Sequence, residues 1–281
     1  MKFRRIAPVV VALGLVAALA ACGSSSGSSS STTTKASSAT IKTVSDGTLT
    51  VATSLPAPGF WNGEDPSSIS GGFEYEMAKA IATKAGLGGV KVENVSFDAL
   101  VAGQSSGYDL ALSQVTITDD RKKVVDFTTP YFSSDQGILV KKGVKVPDLA
   151  AAKKLKWGVQ GSTTGQTFLD ETVKPDTEAS VFQDAPSMFT ALQAGQVEAV
   201  LLDTAIVLGQ AAESDGALEV VGQFRTGESY GGILPKGSKN LAEIDRIIKE
   251  LAADGTLTRL TAKWLVPVFK GDPNAIPVIK A

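Results

Sequence analysis

At 281 residues, 43% of them apolar, the chain is long enough for one large or two ordinary globular domains with a buried core. It holds no histidine and a single cysteine, which excludes Ser-His-Asp and Cys-His catalysis, histidine-ligated metal sites and an intramolecular disulfide. The 27 basic and 29 acidic side chains nearly balance and form no basic stripe, so no nucleic-acid partner is expected and the composition points to a small ligand.

In chain order, Lys2, Arg4 and Arg5 precede an uncharged run from Ile6 to Ala21, shorter than the roughly 20 residues of a membrane-spanning helix. Residues 1–21 therefore read as a signal peptide. Leu19-Ala20-Ala21-Cys22 resembles the bacterial lipobox, and the resemblance implies cleavage before Cys22 and a diacylglycerol on its sulfur. The alternative is a small buried cysteine. Residues 22–45 read as a linker, because from Gly23 to about Thr40 the chain is almost all Ser, Thr, Gly and Ala and has too little apolar surface to offset the entropy of ordering. The expected body is extracytoplasmic and touches the membrane only through this tether and its lipid.

From residue 46 onward strand and helix patterns alternate, which predicts an α/β architecture with mainly parallel sheets. Thr48 to Thr53 reads as a strand. Phe73, Met77, Ala80 and Ile81 then recur at helical spacing, and Gly86 suits the left-handed residue that closes a helix. Lys91 to Val95 alternates as a short strand, and Ser96 is placed to cap a helix carrying Phe97, Leu100 and Val101.

That helix contains Phe97-Asp-Ala-Leu-Val-Ala-Gly-Gln104, and ninety-two residues later Phe189-Thr-Ala-Leu-Gln-Ala-Gly-Gln196 repeats six of its eight residues. An acidic residue and an apolar strand follow each copy: Asp109 to Ser113 in the first, Glu198 to Leu202 in the second. The strands end at Gln114 and Asp203. Ligands of open α/β sheets bind beyond the carboxyl ends of strands, so a duplicated unit implies two lobes with a cleft between them, to which Ser113, Gln114 and Asp203 would contribute.

Several other residues are candidates, each with an ordinary alternative. Arg121, in a short helix capped by Thr118, is either a solvated arginine or a planar, bidentate partner for a carboxylate. Ser162 and Thr163 open a helix after the strand Lys156 to Gln160, where free N–H groups favour an anion or simply need a cap; no phosphate-loop signature follows. Asp203 suits either a ligand cation or a helix N-cap. Phe60 and Trp61, in a Pro- and Gly-rich loop, either close over a ligand's carbon chain or pack in the core. Phe97 faces either the cleft or the sheet.

Gly72-Phe-Glu-Tyr-Glu-Met-Ala-Lys-Ala-Ile81, Thr116 to Phe127, Pro130-Tyr-Phe132, Gly158 to Thr163, Val200 to Asp203, Ala253 to Leu257 and Lys263-Trp264 occur in order, and together residues 46–266 resemble the polar amino acid-binding family (family 3) of ABC transporter solute-binding proteins. The resemblance implies a periplasmic-binding-protein-like fold of two α/β lobes, 46–136 plus 231–281 and 137–230, joined by crossing strands near Gln136 to Val140 and Glu228 to Leu234. It implies that Arg121 clamps an amino acid's α-carboxylate with Thr116 and Thr163, that Asp203 takes the α-ammonium, and that Phe97 packs against the side chain. A monomer needing no cofactor or metal, with an ABC permease as partner, is the corresponding expectation. The same fold also serves cyclohexadienyl (arogenate/prephenate) dehydratase-like enzymes, for which Glu64 is the candidate acid, and ligand-sensing partners of signalling receptors. Gln114 stands where the family usually has a small residue. With no further charge evident around the clamp, a neutral or mildly polar ligand side chain is expected.

Overall fold

The structure is a computed structural model and describes residues 41–270 and 273–281. Cys22, the signal peptide and most of the linker lie outside the described residues. Two five-stranded sheets with helices on their faces make up the body.

The first sheet comprises β1 (Leu49–Thr53), β2 (Val90–Asn94), β3 (Leu110–Ala111), β4 (Val125–Phe127) and, much later in the chain, a strand at Ile233–Pro235, in the order β2-β1-β3-(233–235)-β4. β1 is buried at all five residues because β2 and β3 flank it in parallel and helices cover both faces. α1 (Phe73–Lys84) turns Phe73, Met77, Ala78 and Ile81 into the core. It starts at Gly72, whose φ of 123° and position 2.2 Å from the Phe60 carbonyl, measured from where a Cβ would sit, leave room for glycine alone. α2 (Phe97–Val101) follows Ser96, which occupies the N-cap position without a capping hydrogen bond, whereas Thr118 does cap α3 (Asp119–Val124) through the Arg121 N–H at 3.2 Å.

The second sheet comprises β5 (Phe132–Lys141), β6 (Trp157–Gln160), β7 (Ser180–Phe182), β8 (Ala199–Asp203) and β9 (Leu218–Tyr230), in the order β7-β6-β8-β5-β9. Its helices are α4 (Leu149–Lys153), α5 (Thr164–Phe168), α6 (Ala185–Ala194) and α7 (Thr204–Glu213). α6 begins at the Asp184 cap, with Pro186 in its first turn, and ends at Gly195 with φ 77°. The strand at Ile233–Pro235, β10, returns the chain to the first sheet. There α8 (Leu241–Ala253) and α9 (Thr256–Trp264) pack on α1, α8 through Ile244, Ile247, Ile248 and Leu251 at one-face spacing. A last short helix, α10 (Val266–Phe269), contacts α7.

Three expectations are corrected. The sheets are mixed, not mainly parallel: β10 runs antiparallel to β3 and β4, and β5 antiparallel to β8 and β9, because the chain passes between the sheets in both directions. The first crossing is not at Gln136 to Val140, which pairs with Asp203 to Ala199 inside the second sheet; the passages are at 128–131 and 231–232. Nor does all of 231–281 belong to the first lobe. Val278 bridges Gln223 of β9 and Ile279 is buried among Ile138, Val159 and Phe224, since the Gln223 side chain and backbone hold the terminal segment by hydrogen bonds.

The repeat has a structural basis. Asp109 accepts hydrogen bonds from the Thr50 and Val44 N–H groups at 2.8 Å, and Glu198 accepts from the Lys156 N–H at 2.9 Å. In each lobe the acidic residue before the inner strand thus anchors the start of its parallel neighbour.

Candidate functional site

A cavity of about 310 Å³ lies where the two sheets face each other, lined from both lobes. Phe97, Ser113, Gln114, Thr116 and Arg121 reach it from the first, and Thr163 and Asp203 from the second. Phe60 contributes an edge while remaining in the core, in edge-on contact with Phe73, Phe132 and Tyr230.

Arg121 is 9% exposed. Its Nη1 donates to the Thr116 carbonyl at 2.7 Å and its Nη2 to the Ser162 carbonyl at 2.8 Å, the latter a bond between the lobes. The guanidinium also lies over the Phe97 ring, 5.5 Å from its centroid. Two neutral carbonyls and a ring fix its direction, and its remaining N–H groups have no hydrogen-bond partner among the described residues. Burial pulls the guanidinium below its ordinary value while Asp203 and Glu228 hold it up.

Asp203 ends β8, 5% exposed, and caps no backbone N–H of α7, which removes the ordinary explanation for an aspartate at a helix start. The Gln136 amide donates to its carboxylate at 2.8 Å and to Glu228 at 3.1 Å, and the Tyr230 hydroxyl sits between Asp203 and Ser134. Burial first, then the negative charge of Glu228, raises the Asp203 carboxyl to about 7; hydrogen bonds and Arg121 oppose the rise. Glu228 additionally accepts from Thr116 Oγ1 at 3.0 Å and Thr164 Oγ1 at 2.8 Å. Two carboxylates therefore share one amide donor, Asp203 within the cavity lining and Glu228 outside it.

Beneath the floor, Gln114 takes a left-handed φ of 50° and is tied to Glu74 of α1. Glu74 is fully buried and accepts from the Gln114 N–H at 2.9 Å, the Trp61 indole at 2.7 Å, the Gln114 amide and the Tyr131 hydroxyl. Desolvation raises its carboxyl against those four donors.

Two sequence candidates stand elsewhere. Trp61 lies wholly in the first-lobe core, because its indole N–H is held by Glu74 and the Leu112 carbonyl. The Ser162 side chain is exposed outside the lining, its φ of 64° turning its carbonyl toward Arg121 instead. The Thr163 hydroxyl is occupied too, donating to the Gln160 carbonyl and capping Gln166 at 3.1 Å. The absence of extra charge around the clamp is also corrected. Glu64, Asp184 and Glu213 line the same cavity, with the amides of Gln160, Gln193 and Gln210, since the cavity runs out along one face of α7.

Sequence reasoning missed Gln136, Glu228, Gln160 and Phe189. For Phe189 a signal existed: it is the repeat partner of Phe97, and both rings line the cavity. The others come from long-range pairing that periodicity does not encode.

This two-lobed cleft has counterparts among known proteins. Residues 49–267 match the profile of bacterial extracellular solute-binding proteins, family 3. The chain belongs to that family. This family 3 protein is 31% identical over 229 residues to the L-cystine-binding protein of Escherichia coli K12, spanning 79% of this chain and 84% of the relative. It is 35% identical over 210 residues to the ABC transporter glutamine-binding protein of Bacillus subtilis 168, spanning 72% of this chain and 74% of that one. Among solved structures, an ancestral arginine-binding protein bound to arginine matches it with a TM-score of 0.69 and 33% identity, covering 78% of this chain and 98% of that chain. Family 3 proteins are extracytoplasmic, and no helix among the described residues is long and apolar enough to cross a membrane.

Proposed function

We propose that this family 3 protein is the receptor of an ABC importer, holding one free amino acid between its lobes and presenting the closed form to a membrane permease. The observation that carries the reading is that Arg121 and Asp203, buried on opposite lobes, line one cavity. A zwitterion brings a carboxylate and an ammonium, and each of these walls supplies the missing partner. In this reading Arg121 takes the α-carboxylate, with Thr116 and the backbone at Thr163 beside it. Asp203 takes the α-ammonium, supported by Glu228. Phe97 and Phe189 flank the carbon chain, and Ser113 and Gln114 form the floor. The Arg121–Ser162 bond marks the seam along which the lobes part and close.

The names of the cystine-, glutamine- and arginine-binding relatives support an amino acid as ligand. A dehydratase would need an acid beside the clamped group, and Glu64 stands exposed at the cavity rim. Cys22 is proposed as the lipid anchor; a Cys22→Ala variant should leave the membrane fraction for the medium, and one that remains membrane-bound contradicts the anchor.

The deciding experiment is a melting-temperature screen of the twenty amino acids. A true ligand at about 100 times its dissociation constant stabilises by roughly 2.7 kcal/mol. If none of the twenty shifts the transition, the reading fails.

A further inference from the structure

The passages at 128–131 and 231–232 lie side by side: the Thr128 N–H donates to the Gly232 carbonyl at 2.9 Å and the Tyr131 N–H to the Tyr230 carbonyl at 3.0 Å. Two segments paired in one ribbon bend and twist together, so by themselves they set no stop to lobe motion. After α9 the chain reaches across a third time. α10 sits between the lobes, with Leu265 and Phe269 buried in the cluster that joins Phe60 and Phe73 of the first lobe to Ala205 of the second. Val268 touches both sides, its methyls 3.5 Å from where a Cβ would sit on Gly59 and on Gly209 of α7. Lys270 Nζ donates to the Ala212 carbonyl at 2.8 Å, about 12 Å along α7 from Thr204, whose hydroxyl donates to the Asp135 carbonyl near the start of β5.

Residues 273–281 then run along β9. The Gln223 amide donates to the Pro273 and Ile276 carbonyls at 2.9 and 3.1 Å, its backbone N–H donates to the Pro277 carbonyl at 2.9 Å, and its carbonyl accepts from the Ile279 N–H at 2.9 Å. Gln223 is buried, so releasing the segment would leave its amide without those acceptors. Ile279 fills the space left by Gly222, where a Cβ would stand 2.8 Å from its Cδ1, and is buried with Ile138 and Phe224. A cavity of about 290 Å³ separates this segment from the hinge, lined by Phe132 and Ser134 of β5, Glu228 of β9, Phe269 and Pro273, and it gives the hinge strands room to bend beneath the segment. Most of this connection lies beyond residue 267, where the match to the family profile ends.

We propose that α10 and residues 273–279 form a strap across the hinge that limits how far the lobes part in the empty protein. This rests on the lobe movement of the reading above and adds what restrains it. Pro58 and Gly209 line the ligand cavity, so opening the cleft draws apart the two surfaces that Val268 bridges, or else pulls Ile279 from its pocket. Packed apolar contacts of this kind hold or give way as a unit, so the strap acts as a stop. A restrained empty state also has less freedom to lose on closing, which favours binding.

Double electron-electron resonance on the ligand-free full chain tests this. Nitroxides on Lys123→Cys of α3 and Val181→Cys of β7, in a Cys22→Ser background, flank the seam where Arg121 meets Ser162, and both positions are exposed. Ile279→Asp places a charge where the segment is buried. It should release residues 273–281, seen as faster amide exchange, and extend the label separations beyond the longest that the parent populates. Ile279→Val should keep the parent distribution, and Ile279→Ala should shift it in the same direction and serves if Ile279→Asp does not fold. A released segment with an unchanged distribution overturns the strap, whatever the loss in melting temperature, because the segment is then packing alone. Unchanged amide exchange in both variants overturns it as well, since Ile279 would not be the anchor. Either result leaves the amino acid reading in place, which stands or falls by the melting screen.

Discussion

The two lobes carry the same unit, a helix, an acidic anchor and an inner strand that ends at the cleft, and they use buried carboxylates in opposite ways. In the first lobe Glu74 is surrounded by donors from Trp61, Gln114 and Tyr131, and its charge fixes the floor. In the second, Asp203 and Glu228 share the Gln136 amide and repel each other, with Arg121 as the cation facing them across the cleft. The saturated carboxylate is structural. In the proposed function the under-compensated pair is where a ligand's positive charge would sit, and an arriving ammonium would recover the energy withheld there in the empty protein.

The contrast can be broken at several points, beginning with the largest expected effect. Glu74→Ala orphans the Gln114 backbone N–H, the Gln114 amide and the Tyr131 hydroxyl, while the Trp61 indole keeps the Leu112 carbonyl, so at about 1–3 kcal/mol for each donor denaturant unfolding should show a loss of roughly 3–9 kcal/mol. A smaller loss than 1 kcal/mol would mean that the floor does not depend on it. Arg121→Ala should leave the fold largely intact and weaken ligand binding by roughly 2–5 kcal/mol, since the ligand carboxylate would stay buried without its partner. Calorimetry showing unchanged affinity removes Arg121 from the site.

Asp203 makes the second lobe pH-dependent. Its folded value of about 7 stands above its ordinary 3.8, so the empty folded protein holds an extra proton between those values. The stability this confers is fully present below about pH 3.8 and is lost as pH rises through about 7, at most on the order of 4 kcal/mol. An ammonium favours the ionised form, so binding at pH 6 should release close to one proton, read from the dependence of calorimetric heat on buffer ionisation; proton uptake would contradict it. Glu228→Gln keeps an acceptor for Thr116 and Thr164 but removes the repulsion. It should lower the pH at which that proton is released and change apo stability by less than about 1 kcal/mol. An unchanged pH dependence would place the source of the Asp203 rise in burial alone.

What the sequence determined by itself is what local chemistry and pattern encode. Apolar runs and helical spacing define β1, α1 and β8, the six matching residues at Phe97 and Phe189 reveal the repeat, and the strand ends point to Gln114 and Asp203 as cleft residues. Only the tertiary structure decided which way side chains face and which distant residues meet. Phe60 and Trp61 are neighbours in one loop, yet Phe60 edges the cavity and Trp61 is taken inward by Glu74. Glu228 lies twenty-five residues beyond Asp203 and Gln136 sixty-seven before it, and they form one charged wall because β5 pairs Gln136 with Asp203 on one side and Ser134 with Glu228 on the other. Hydrophobic periodicity is a local signal set by the pitch of one helix or the pleat of one strand, whereas charge compensation depends on strand register between segments far apart in the chain.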